Sequence, residues 1–137
     1  KPKKIKAKKA KAGKKAMAAN KEIKCISSKQ FFFRGNKLTN ESDAPANVRY
    51  YIKFSGSRLD AYHKEPLAPK VAFDGAMLIS QQVDKDGVNV SNYEKTSSDG
   101  AIHRVEIRMF PNGNIVLNSL FSMNNWLSTS GMRDLCK

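Results

Sequence analysis

Histidine and cysteine are scarce in this chain, two of each, and that scarcity narrows the chemistry at the outset. Neither Cys25 nor Cys136 has a second ligand at CxxC or CxH spacing, so no metal site and no cofactor are expected. The phosphate-binding glycine loop, the GxSxG nucleophile turn and the HExxH pair are missing as well, which counts against the common nucleotide enzymes and metallohydrolases. No stretch approaches the roughly 18 to 20 apolar residues that a membrane helix needs, and Phe31-Phe32-Phe33 is the longest aromatic run, so no transmembrane segment is expected. There is no internal repeat. Acid is nearly absent from the first 24 residues, where Glu22 stands alone against eleven lysines.

That imbalance divides the chain. Eleven lysines and one glutamate give residues 1–24 a net charge of +10, so of the total of +13 only +3 falls to the other 113 residues. A cationic arm, 1–24, is thus expected before a β-rich domain, 25–137. Like charges at this density repel one another, and they gain most by binding a polyanion and releasing its condensed counterions. Lys3, Lys4, Lys6, Lys8, Lys9, Lys11, Lys14 and Lys15 are the expected phosphate contacts. Lysine and alanine favour helix, so the arm is expected to become helical when its charges are neutralised and to fray when they are not. The chain opens on Lys1 without a methionine, which leads us to expect a processed or trimmed product and leaves the compartment open.

After Cys25 the pattern changes to short β-branched and aromatic segments divided by turn residues. Strands are expected near Ile26 to Arg34, Val48 to Phe54, Lys70 to Ser80, Val88 to Tyr93, Ile102 to Phe110 and Asn114 to Phe121. About six strands fit one small antiparallel β-barrel or sandwich, and Met123 to Leu135 is expected to close it as a short helix. Pro111-Asn112-Gly113-Asn114 marks a hairpin, with His103, Val105, Ile107 and Met109 alternating toward one face. Asp84-Lys85-Asp86-Gly87 lacks the glycine and glutamate positions of a calcium loop, so Asp86-Gly87 reads as a turn, as does Asp99-Gly100. Asn36 to Asn47 and Asp60 to Pro69 read as long loops.

Three groups of residues carry candidate function. In Arg49-Tyr50-Tyr51-Ile52-Lys53-Phe54, period-two alternation sends Arg49, Tyr51 and Lys53 to one face and Tyr50, Ile52 and Phe54 to the other. Cations beside an exposed ring stack bases and hold phosphates, although an ordinary solvated strand face has the same pattern. Cys25 and Cys136 bracket the body, and a bridge between them would close nearly the whole domain; two reduced thiols packed as small hydrophobes are the alternative. His63 and His103, with Lys53 or Lys64, are the raw material for acid-base cleavage of RNA, but no spacing places the two imidazoles together.

The leading reading is therefore a non-enzymatic, nucleic-acid-associated structural or binding protein, of viral coat, nucleoprotein or ribosomal type, held in a larger assembly by protein partners or by copies of itself. A virion or ribonucleoprotein particle is the expected location. The alternative is an exported, disulfide-closed β domain that binds a surface polyanion or serves as an adhesin-like or toxin module. A ribonuclease using His63 and His103 ranks third.

Overall fold

A computed structural model describes residues 21–34, 37–43, 49–123 and 128–137. The eight candidate lysines of the arm lie outside the described residues. Among the described residues nine strands follow one another: β1 (Ile23–Arg34), β2 (Lys37–Asp43), β3 (Arg49–Ser55), β4 (Arg58–Tyr62), β5 (Ala76–Val83), β6 (Asn89–Thr96), β7 (Ile102–Met109), β8 (Ile115–Met123) and β9 (Ser128–Cys136). All pairings are antiparallel, and the sheet runs β9-β8-β7-β6-β5-β4-β3-β1-β2. In addition β9 pairs with β1, from Ser128 opposite Arg34 to Cys136 opposite Cys25, so the ladder that leaves β1 through β3 returns to it through β9.

The mainly β, antiparallel expectation holds, but nine strands replace six. The three additional ones each hide from pattern reading. β2, expected as loop within Asn36 to Asn47, is exposed along its whole length and so has no apolar alternation. It is held by backbone pairing to β1, by Lys29 against Asp43 at 2.8 Å, and by the Thr39 hydroxyl donating to the Phe32 carbonyl at 3.0 Å. β4 offers only Leu59 and Ala61 as an inward pair before the prolines begin. β9 takes the place of the expected closing helix. Its first four residues, Ser128-Thr129-Ser130-Gly131, are poor helix formers, while β8 and β1 each present an edge for it to pair with. The strand expected over Lys70 to Ser80 is confined to β5. Residues 71–75 instead turn, with Asp74 N–H donating to Val71 and Ala76 N–H to Phe73.

Alternation accounts for the core. Tyr50 and Ile52 of β3 point inward, as do Leu59 and Ala61 of β4, Val105 and Ile107 of β7, and Leu117 of β8, with Phe73 capping them. Each fully buried Ile or Leu contributes about 1.5–3 kcal/mol of transfer free energy. The hairpin between β7 and β8 forms as its sequence implies. Gly113 takes a φ of 92°, and the Asn112 side-chain oxygen accepts from Asn114 N–H at 3.0 Å. The Asp86-Gly87 turn is fixed by Asp84, whose Oδ1 accepts from the amides of Asp86 and Val88.

Candidate functional site

The outer surface of β1, β3 and β4 carries the basic and aromatic residues singled out in the sequence. Register places Lys24 of β1, Tyr51 of β3 and Tyr62 of β4 in one row, with Arg49 opposite Ile26 and Lys53 opposite Asp60. Arg49 and Lys24 are exposed, and Tyr51 and Lys53 are partly so, while Tyr50 and Ile52 are buried behind them. Tyr51 and Tyr62 stack at 6.0 Å between ring centroids with 25° between planes. Lys64 Nζ lies over the Tyr51 ring at 4.3 Å and Lys53 Nζ over the Tyr62 ring at 5.7 Å. Sequence reasoning found Arg49, Tyr51 and Lys53. It missed Tyr62, in a strand too short to be recognised, and named Lys64 only beside the histidines, not on this face.

Glu22 ties the root of the arm to this face. Its carboxylate accepts from the Tyr62 hydroxyl and from Lys64 Nζ, the latter at 2.6 Å. The hydrogen bond from Lys64, then that from Tyr62, hold the Glu22 carboxyl below its usual value. Burial, reinforced by Glu22, pushes the Tyr62 phenol up to about 12. Acid on this face is already engaged, since Asp60 accepts from Arg58 Nε at 2.7 Å and from the Ser55 hydroxyl at 2.7 Å. A backbone phosphate arriving here would meet Lys24, Arg49, Lys53 and Lys64 around two stacked rings.

At the other side of β1, Cys25 and Cys136 face each other in register, with their sulfurs 2.10 Å apart and a sequence separation of 111. The pair is flanked by a buried polar contact. The Tyr50 hydroxyl donates to Asp134 Oδ2, and burial pushes both groups up from their ordinary values. Both arise from the same register, because Tyr50 sits opposite Cys25 on β3 while Asp134 sits two residues before Cys136 on β9.

The histidines go to separate places. His63 lies beside Tyr50, edge to face at 6.4 Å, and His103 packs on Phe121 at 4.8 Å. Burial first, then the nearby Lys95, pushes His103 below its ordinary value. Among the described residues no group of three or more His, Cys, Asp or Glu side chains is placed to hold a metal ion, and no helix is long and apolar enough to cross a membrane. No family model matches the chain, and neither a search of curated proteins nor one of solved structures finds a match.

Proposed function

We propose that the protein is a non-enzymatic polyanion-binding module whose lysine arm and β1-β3-β4 face form one cationic surface for the phosphate backbone of a nucleic acid. The observation that carries this reading is the anchoring of Glu22 by Tyr62 and Lys64. It starts the arm beside Arg49, Tyr51 and Lys53 rather than elsewhere on the body. Lysines act as point charges on phosphate and give little base readout, whereas stacked tyrosines are suited to unpaired bases. Single-stranded RNA or DNA is therefore the favoured partner over a duplex. In this reading the returning ladder makes the body a small closed barrel, which serves as a rigid mount for the face.

The test is a salt series with the full-length chain against single-stranded RNA, duplex DNA and heparin, compared with a chain in which the eight arm lysines are glutamine and with Tyr51→Ala. The arm variant should flatten the salt dependence by about 0.7 in log–log slope for each single-strand phosphate it no longer neutralises. Tyr51→Ala should weaken single strands selectively, by roughly 1–3 kcal/mol for each base that no longer stacks. Equal weakening for heparin and RNA in the Tyr51 variant would rule out the recognition role of the face.

A second reading is favoured by one observation, the bonding distance between Cys25 and Cys136. Disulfides persist in oxidising compartments, which suits an exported domain whose arm meets a surface polyanion. In the same salt series this reading expects heparin to compete as well as RNA.

A further inference from the structure

We infer that the interior of the ladder holds a binding site for one small, neutral, partly aromatic molecule, in a recess lined by His103. The site is independent of the cationic face. Eight strands, β1 and β3 to β9, take part in the returning ladder, and a ring of eight strands is just wide enough for its side chains or for one small ligand. Near the disulfide the interior is filled, by Ile52, Leu59, Ile107 and Leu117 with Cys25 and Cys136. Toward the other end it is not. Across β1, β9, β8 and β7, register aligns Phe32, Ser130, Phe121 and His103, and the next row aligns Gln30, Met132, Ser119 and Val105. Small side chains at Ser119 and Ser130 leave a recess of about 410 Å³, within the range of small-molecule sites.

The lining gives the ligand its chemistry. The walls are apolar, formed by Phe32, Phe73, Phe121 and Met132. Four polar side chains converge on the same space: His103, Gln30, Ser119 and Ser130. His103 is only 6% exposed, and among the described residues no hydrogen bond reaches its imidazole or the other three polar groups. Gln30, Ser119 and Ser130 are partly exposed, so water meets them in the open recess and a ligand would take over those hydrogen bonds. Among the described residues no acidic side chain, lysine or arginine lines the recess. Lys95, opposite His103 on β6, is turned to the Asp74 carbonyl at 2.7 Å. A carboxylate or an ammonium would therefore enter without a counter-ion, while a flat neutral molecule with one hydroxyl, amine or carbonyl would find both walls and partners.

The probe is N-phenyl-1-naphthylamine, a neutral aromatic amine whose fluorescence rises in apolar surroundings, titrated into the full-length protein while the imidazole signals are followed by NMR. With only His63 and His103 in the chain, each acts as a control for the other. The expected result is saturable binding of one probe per chain, with the His103 resonances moving along the same isotherm and those of His63 unmoved. Ser119→Leu and Ser130→Leu, each placing a larger side chain in the recess, should reduce probe affinity at least tenfold in whichever variant keeps the wild-type circular dichroism. Saturable binding that leaves the His103 signals in place would overturn the assignment. So would an absence of saturable binding, or unchanged affinity in a folded leucine variant.

Discussion

Tyr50 donates its phenolic proton to Asp134 in the interior, one strand position from the Cys25–Cys136 contact. Asp134 is 1% exposed, and among the described residues its Oδ1 has no hydrogen-bond partner. A buried carboxylate with one unpaired oxygen prefers to keep its proton, and burial is what raises its pKa. A group whose native pKa is raised contributes stability that is complete below its unfolded value, here 3.8, and is lost as pH rises through the native value. Urea midpoints should therefore fall with rising pH over that window. Asp134→Asn, which can still accept from Tyr50, should flatten the fall and at neutral pH match or exceed the wild type, by on the order of 1 kcal/mol. A midpoint that rises with pH in the wild type but not in the variant would reverse this account.

The Tyr50 hydroxyl, followed by Ser27, is what favours the ionised form of Asp134. Tyr50→Phe should cost about 1–3 kcal/mol where Asp134 is ionised and less where it is protonated, because the deletion strands a buried acceptor. Denaturation at an acidic and a neutral pH separates this from weaker packing against Phe73, which is pH-independent.

Reduction should destabilise the body. With the cysteines 111 positions apart in sequence, the chain-entropy model gives a loop of this size about 4–5 kcal/mol. Intact mass without reductant should lie two hydrogens below the fully reduced chain, and the thermal midpoint should drop when reductant is added. Free thiols in protein folded under oxidising conditions would remove the argument for an exported domain.

Gly131 lies within a strand and has close neighbours on both sides. A Cβ there would meet Leu120 Cδ2 at 2.8 Å and the Ser119 carbonyl oxygen at 3.2 Å. The leucine tip can shift but the carbonyl cannot, so Gly131→Ala should cost about 1–3 kcal/mol by overpacking. Adding Leu120→Ala should recover part of that cost, a coupling visible in a double-mutant cycle of denaturation midpoints.

What the sequence made legible follows from which residues have water on one side and core on the other. β3 and β7 have that contrast along their length, and Tyr50, Ile52, His103, Val105 and Ile107 point inward as their alternation implies. β2 has water on all of its side chains, so nothing in its composition distinguishes it from loop. β9 buries Thr129 on one parity and Asp134 and Cys136 on the other while its register with β8 runs unbroken, so its sequence has no single apolar face to read. The candidate face was legible only on the strand that alternates. Tyr62 and Lys64 join it by pairing in space, and Ser119 and Ser130 look like surface serines until register turns them toward His103.

Glu22 is the acid that tempers the cationic face, so its removal tests the face from the opposite direction to a lysine deletion. Glu22→Gln keeps a hydrogen-bonding group near Tyr62 and Lys64 but releases Lys64 from its counter-charge. Affinity for single-stranded RNA should rise, and the log–log salt slope should steepen by about 0.7, the contribution of one further neutralised phosphate. The Tyr62 phenol, held up partly by the Glu22 charge, should titrate below the value of about 12 that it has beside the carboxylate, which ultraviolet absorbance of tyrosinate would follow. A steeper slope together with the shifted phenol would tie the anchor to binding. A shifted phenol with an unchanged slope would mean that Lys64 does not meet phosphate, leaving the face to Lys24, Arg49 and Lys53.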